Sequence, residues 1–505
     1  MLSFDSRGGA PASASRRADG SVGAGGAALV FEDREYSRPE LEALAGGLAA
    51  TLARRGVRSG DRVALMSSNR PEFVVAVQAI WQVGAAVVLI SPAWKHDEVA
   101  HALDVTSAVL GVGDVPVLAE LLPTVDLDEP VTPAQGPRVP PDPAADAVLV
   151  FSSGTTGRPK AVRHTHASFA AAVVHWRDAL GMTSADRIQI VTPPAHILGL
   201  LNIATALESG ARMRLHRRFD IDRMLHYIEA DRVTIEMAVA PIALAIASHP
   251  ELEAYDLSSL RYIMWGATPV TASVAETVTR RTGVPWVPAY GASELPVIAC
   301  NPLVDARLDS VGRPVPGVTV RIVSLDDGHP LGPDGVGEIQ ARSASVMAGY
   351  LPSEATAGAF DDGWYRTGDV GYLDPDGWLR ITDRSKEMIK VRGFQVAPAE
   401  IESVLLGHPD VADCAVFGVP DPADGEAIVA AVATNGTAVA ATNGTAVAAT
   451  NSPAVAAELV ELVGSRLASY KMPRRVEFVP EIPRLPSGKV LRRVLKEQYG
   501  RPSDE

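Results

Sequence analysis

The sequence predicts an α/β protein: a large N-terminal domain of mixed sheets flanked by helices, with a β-rich subdomain at its end, then a small α+β C-terminal domain. Three observations predict it. Apolar runs of strand length alternate with helical periodicity as far as residue 288, turn-rich β texture takes over beyond about residue 311, and helix and strand patterns resume near residue 398. At 505 residues the chain also exceeds what one hydrophobic core normally organises, so two or more domains are expected.

In chain order, residues 1–27 read as a loose tail rich in Gly, Ala and Ser, without the apolar block of a secretory signal. Residues 28–382 form the N-terminal domain. Within it, apolar residues recur at helical spacing over 41–54, while 62–66, 85–90 and 147–151 are apolar strands. The apolar run over 73–90 is broken by Gln78, Gln82 and Gly84 and preceded by Pro71. It predicts a buried helix followed by a strand, because a membrane span needs about 20 mainly apolar residues. Further strands at 187–192, 212–215, 234–239, 262–265 and 286–288 argue for mixed or parallel sheets covered by helices. Gly312-Arg-Pro-Val-Pro-Gly317, Asp326-Asp-Gly328 and Asp374-Pro-Asp-Gly377 are turns of the β-rich subdomain, residues 311–382. The C-terminal domain, residues 383–505, carries helices at 398–406 and 458–469 and strands at 413–419 and 427–433. Its octad Ala433-Thr-Asn-Gly-Thr-Ala-Val-Ala440 returns at Ala441 and, imperfectly, at Ala449. Three short copies cannot build a solenoid, so 433–456 reads as a low-complexity surface loop.

Bulk properties narrow the function. The formal charge of -14, with Lys and Arg scattered, excludes a general nucleic-acid surface, so any polyanion must be met locally. Cys300 and Cys414 are the only cysteines and lie too far apart for a disulfide framework or a zinc site, which points to a reducing cytoplasm. No membrane association is expected.

The most informative stretch is Phe151-Ser-Ser-Gly-Thr-Thr-Gly-Arg-Pro-Lys160, which follows an apolar strand. Glycines let backbone N–H groups approach anionic oxygens, hydroxyls add donors, and Lys160 adds charge: together a phosphate cradle. It is not a Walker A loop, because Arg158-Pro159 separates Gly157 from Lys160. Four further signatures follow in order: Tyr290-Gly-Ala-Ser-Glu294; Tyr365-Arg-Thr-Gly-Asp-Val-Gly371; Asp383-Arg-Ser-Lys-Glu-Met-Ile-Lys390 with Val391-Arg-Gly-Phe-Gln395; and Pro486-Ser-Gly-Lys489. The set resembles the adenylate-forming superfamily of acyl-CoA synthetases, carrier-loading adenylation domains and luciferases, and is most similar to the coumarate-CoA and fatty-acid-CoA ligases. The resemblance covers nearly the whole chain.

The resemblance implies a site residue by residue. Ser152, Ser153, Gly154, Thr155, Thr156, Gly157 and Lys160 would hold the phosphates of ATP, and Glu294 with Thr156 the Mg2+ that accompanies it. Gly266, Ala267, Thr268, Ala289, Gly291 and Ser293 would form the adenine slot, with the ring against Tyr290, although core packing explains Tyr290 equally well. Asp369 would accept from both ribose hydroxyls, beside Ile381 and Arg384. Lys489 would neutralise the carboxylate and the α-phosphate together, so catalysis is mainly positioning and charge stabilisation. The C-terminal domain would be mobile, swinging about a hinge at Asp383 between adenylating and thiol-accepting poses. Lys386, Lys390 and Gln395 would lie near the acyl-adenylate, and Arg392 and Gly393 would meet coenzyme A. Two positions depart from the usual pattern: Arg392, where Lys is common, keeps the charge, and Ala161 replaces the Gly that usually ends the phosphate loop.

His196 would line the acid pocket and gate the thiol; the competing reading is a satisfied core histidine. Ala238, Gly266, Gly291, Ala292, Pro296 and Val297 are small or apolar, which implies a hydrophobic acid of medium or large size, aryl, fatty or polycyclic. Glu236 reads as an ordinary exposed strand residue; turned inward, it would instead pair with an amino group, as of a β-amino acid destined for a carrier protein. The expected activity is therefore AMP-forming ligation of a small-molecule carboxylic acid to coenzyme A. The alternative is an enzyme that stops at the adenylate, leaving thioesterification to a separate enzyme, or loads an acyl carrier protein, as in natural-product biosynthesis. A non-catalytic nucleotide-binding homologue is the reading from another class, opposed by intact Lys160, Glu294, Asp369 and Lys489. A monomer or a homodimer is expected.

Overall fold

The computed structural model describes residues 27–152, 159–266, 272–384, 387–391, 394–421, 425–435, 453–467, 469–484 and 490–500, with the backbone alone at 383, 384, 390, 394, 395 and 425. Two large sheets organise the described part of residues 27–314. In the first, parallel strands lie in the order Trp286–Tyr290, Tyr262–Trp265, Ile235–Ala238, Arg187–Ile190, Arg212–Leu215 and Leu29–Phe31, with antiparallel strands at both edges. In the second, Asp146–Ser152, Ala86–Leu89, Arg62–Met66, Leu110–Gly113 and Thr124–Asp126 are parallel. That sheet ends in two antiparallel strands, Lys160–Thr165 and Gly349–Leu351.

Helices Arg38–Arg54, Pro71–Gln82, His166–Leu180 and Ile197–Ser209 lie in one shared core with the facing sides of both sheets. The outer face of the first sheet is covered by Ile221–Asp231, Ala240–Ser248 and Ala272–Thr282, and that of the second by His96–Thr106 and Pro116–Leu121. This layering is why the parallel strands read as unbroken apolar runs: both their faces are buried. Local chemistry sets the element ends. Pro71 opens its helix at a position where the missing N–H costs nothing. Thr165 caps the helix His166–Leu180 by accepting from the Ser168 N–H at 3.1 Å, and Gly181 closes it at φ +53.

A third sheet joins Val318–Val323, Gly337–Ser343, Trp364–Leu373, Phe360–Asp361 and Leu379–Arg384, all antiparallel. Its last strand runs past residue 382, so Asp383 and Arg384 are strand residues paired with Val370 and Asp369. A fourth sheet holds Ile389–Val391, Phe394–Val396, Val411–Asp421, Gly425–Thr434 and Arg475–Phe478. Helices Pro398–Leu405 and Pro453–Arg466 share its core.

Two expectations need new limits. The helix expected at 458–469 starts at Pro453, where a proline suits the first turn, and ends at Arg466. The loop expected over 433–456 loses both ends, because the strand Gly425–Thr434 continues pairing through Thr434 and the helix claims residues 453–456. No described helix is long and apolar enough to cross a membrane; the 73–90 run is the helix Pro71–Gln82 followed by the strand Ala86–Leu89.

Candidate active site

Parallel sheets offer ligands the crevice at the carboxyl ends of their strands, and there the sequence motifs gather. Ser152 ends one strand of the second sheet and Lys160 begins the next. Tyr290 ends a strand of the first sheet, and the turn carrying Gly291, Ala292, Ser293 and Glu294 follows it. That turn is tight. Its Ala292 N–H donates to the Leu295 carbonyl at 2.9 Å, and a Cβ on Gly291 would sit 2.0 Å from the Pro296 carbonyl oxygen, so only glycine fits.

Two nearly buried carboxylates define the site, each capped by a tyrosine. Tyr290 donates its hydroxyl to Asp369 Oδ2 at 2.5 Å. Tyr350, from the strand Gly349–Leu351, donates to Glu294 Oε1 at 2.9 Å. The Lys160 ammonium lies 5.5 Å from the centre of the Tyr350 ring. Tyr365 is buried among these groups. Its phenol is pushed well above the usual range by burial first and then by Glu294, Tyr350, Tyr290 and Asp369, so both carboxylates lie near this ring.

Glu294 is 9% exposed, and no Lys or Arg pairs with it among the described residues. A carboxylate withdrawn from water without a cation is unfavourable, and a hard divalent ion carried in on phosphate oxygens is a chemical match for it. Asp369 can accept from ribose hydroxyls through its carboxylate. Gly266, which donates its N–H to the Ala238 carbonyl at 3.4 Å, would tolerate a Cβ: the nearest atom would be the Ala289 carbonyl oxygen at 3.7 Å. The protein itself does not need glycine there, which leaves its bare backbone free to lie against a ligand.

The remaining predicted residues sort by what surrounds them. Ala289, Ser293, Ala292, Pro296 and Ile381 are half-buried around the crevice, whereas Val297 is fully buried in the main core and Ala238 is 2% exposed. His196 caps the helix Ile197–Ser209 and is exposed, so it is not a satisfied core histidine. Surrounding protein nonetheless lowers its pKa by displacing water, which favours the neutral imidazole. Lys390 and Gln395 are directly paired residues of the hairpin Ile389–Val391/Phe394–Val396. Ser153, Gly154, Thr155, Thr156, Gly157, Ala267, Thr268, Lys386, Arg392, Gly393 and Lys489 lie outside the described residues.

Glu236 requires a correction. It is not an exposed strand residue but fully buried, on a strand whose four residues are all buried. Oε2 accepts from Gln189 Nε2 at 2.9 Å and Oε1 from the Met237 N–H at 3.1 Å. Gln189 Nε2 also donates to the Met224 carbonyl at 3.2 Å, while its Oε1 bonds His216 Nε2. Burial outweighs these bonds and pushes the Glu236 carboxyl up to about 8.

Comparison with known proteins decides the family. Residues 21–351 match the family model of the AMP-binding enzymes and residues 400–489 that of the AMP-binding enzyme C-terminal domain. The chain belongs to the AMP-binding enzyme family. Among its relatives, 4-coumarate–CoA ligase CCL1 of Humulus lupulus is 34% identical, over 89% of this chain and 86% of the relative. Feruloyl-CoA synthase of an Amycolatopsis species is 34% identical, over 94% and 95%. Among solved structures, o-succinylbenzoate CoA synthetase of Bacillus subtilis bound to its acyl-adenylate is 31% identical with TM-score 0.82, covering 93% of this chain and 95% of that one. The amide bond synthetase McbA of Marinactinospora thermotolerans is 31% identical with TM-score 0.83, covering 94% and 97%. This AMP-binding enzyme is an AMP-forming acid–CoA ligase that uses ATP, Mg2+ and coenzyme A.

The sequence did not mark His164 or Tyr350. His164 Nε2 lies 2.7 Å from the Ser293 carbonyl oxygen, beside the acidic residue of the turn. The only available signal was the two-residue period of the strand Lys160–Thr165, which sets His164 on the same side as Lys160.

Proposed function

We propose that this ligase activates an aryl or comparably large hydrophobic acid, with Glu294 and Thr156 on the metal, Asp369 and Arg384 on the ribose, and Lys489 between the substrate carboxylate and the α-phosphate. The observation that carries the reading is the pair of tyrosine-capped carboxylates, Glu294 and Asp369, both close to the buried Tyr365. In the first step a carboxylate oxygen bonds to the α-phosphorus as the bond to the bridging oxygen of pyrophosphate breaks. In the second the coenzyme A thiolate bonds to the acyl carbon and AMP leaves with the electron pair of the acyl–oxygen bond. Neither step needs a nucleophile from the protein. Its task is to hold two anions together, by glycine and hydroxyl donors, Mg2+ and Lys489.

Three observations support the acid class. Gly266, Ala292 and Pro296, proposed as walls of the pocket, are small or apolar. The sole carboxylate proposed for the pocket, Glu236, is engaged by Gln189 and Met237, which argues against an amino acid substrate. The relatives named above act on coumarate, ferulate and o-succinylbenzoate. After adenylation, the C-terminal part would swing about the Asp383 region, withdrawing Lys489 and bringing Arg392, Gly393, Lys386, Lys390 and Gln395 to the acyl-adenylate. We place the enzyme in the cytoplasm, acting without a carrier protein. A panel of aryl, fatty and amino acids, assayed for pyrophosphate release with and without coenzyme A, tests this. Aryl acids should give acyl-CoA; pyrophosphate release with no CoA-dependent product, or a preference for amino acids, would overturn it.

A further inference from the structure

The strand that follows the phosphate loop connects two parts of the site. Lys160, Val162 and His164 occupy alternate positions and so share one side of it. Its neighbour Gly349–Leu351 pairs with it at Tyr350↔Val162 and carries the tyrosine that holds Glu294. His164 is fully buried. A carbonyl oxygen can only accept, so His164 Nε2 must carry the proton it shares with Ser293 at 2.7 Å. Nδ1 is thereby left to accept from Ser168 Oγ at 3.4 Å, and Ser168 is itself fixed at the head of its helix by Thr165. Burial lowers the imidazole to about 4, so the ring is a neutral Nε2–H donor across the working pH range.

The next peptide is tethered separately: the Met347 N–H donates to the Glu294 carbonyl at 2.8 Å. The turn from Tyr290 to Glu294 is thus held at the Ser293 carbonyl, at the Glu294 carbonyl and at the Glu294 carboxylate, by His164, Met347 and Tyr350 respectively. Of these, only the His164 bond fixes the peptide that precedes Glu294. Without it that peptide is held only through the Ala292–Leu295 closure of the turn, and the direction in which the Glu294 side chain leaves the chain is less tightly set.

We propose that His164 is a positioning residue for magnesium–nucleotide binding: its Nε2–H locks the Ser293 carbonyl and so aims the Glu294 carboxylate at the metal. The proposal rests on the reading of Glu294 as the metal position. It concerns no contact between His164 and substrate.

The test uses the full chain and acid-dependent ATP–pyrophosphate exchange, titrated separately with Mg2+, with ATP and with the acid. His164→Leu fills the space but has no donor, His164→Gln restores an N–H near the Ser293 carbonyl, and Glu294→Gln reports on the metal position itself. His164→Leu should raise half-saturation for Mg2+ and for ATP about tenfold, the scale of one lost buried hydrogen bond, with half-saturation for the acid unchanged. His164→Gln should recover most of that loss. A fall in maximal rate with unaltered Mg2+ and ATP half-saturation, or a glutamine variant as impaired as the leucine one, overturns the proposal. Should His164→Leu not fold, His164→Asn takes its place, with a shift in Mg2+ half-saturation supporting the proposal and no shift overturning it. If Glu294→Gln leaves Mg2+ dependence unaltered, the reading of Glu294 itself fails; if it shifts and the His164 variants do not, only the role of His164 fails.

Discussion

Glu236, inside a strand, and Glu294, in a turn that follows a strand of the same sheet, are both buried glutamates, and their surroundings give them opposite characters. Each oxygen of Glu236 is taken by a donor from the protein, one from Gln189 and one from Met237, and low polarity around it favours the protonated form. Among the described residues Glu294 receives one phenolic hydroxyl, from Tyr350, and lies with Asp369 near the Tyr365 ring. Both oxygens of the first already have a protein donor. The second has no cationic partner among the described residues. Burial of a carboxylate is therefore no guide to function by itself; what decides is whether the protein has already satisfied it.

Predictions that break or sharpen this contrast run from large to small. Lys489→Ala should slow adenylation by about a hundredfold or more, the scale of losing one preorganised donor to a developing charge, while thiolysis of supplied acyl-adenylate persists. Equal damage to both half-reactions would contradict a swinging C-terminal part. Asp369→Ala should raise the ATP half-saturation about thirtyfold, since it removes the proposed acceptor for the ribose hydroxyls and its bond from Tyr290. Tyr290→Phe, which spares the carboxylate, should cost only about fivefold by the same measurement; an effect as large as that of Asp369→Ala would make the tyrosine the principal contact.

Glu236 supplies the smallest catalytic effect and the clearest pH signature. Its folded-state pKa lies above the unfolded value, so its contribution to stability is complete below about pH 4.5 and is lost as pH rises towards 8. The Glu236 contribution, read as the difference between wild type and Glu236→Gln, should fall through that window with a slope of about 1 kcal/mol per pH unit or less, whereas buried histidines such as His164 and His216, lowered to about 4, tilt total stability the other way below about pH 6.5. Thermal midpoints measured between pH 5 and 9 would show this. Exchange activity on neutral aryl acids should change less than about threefold in that variant, and a larger loss would return Glu236 to the substrate pocket.

Much of the fold was readable from residues alone because buried parallel strands announce themselves as apolar runs: Arg62–Met66, Arg212–Leu215 and Tyr262–Trp265 fall where the pattern puts them. Three-residue strands such as Leu29–Phe31 and Thr124–Asp126 gave no period to read, and their pairing with distant strands makes them strands. The family resemblance of the motifs put Glu294, Asp369 and Tyr290 in one site, and Tyr290 bonds Asp369. It could not locate Glu236, because a charged residue within Ile235–Ala238 reads as a solvent-facing one until Gln189, on the neighbouring strand, is seen to cover it. His164 was hidden for the related reason that its partner, the Ser293 carbonyl, is backbone and leaves no trace in the pattern of side chains.

The strand pair Lys160–Thr165/Gly349–Leu351 belongs to one sheet, yet through His164 and Tyr350 it braces a turn that grows from the other. Ala238, proposed for the acid pocket, supplies none of the bonds that make this brace. New acids can accordingly be sought by changing that position without rebuilding the machinery for triphosphate.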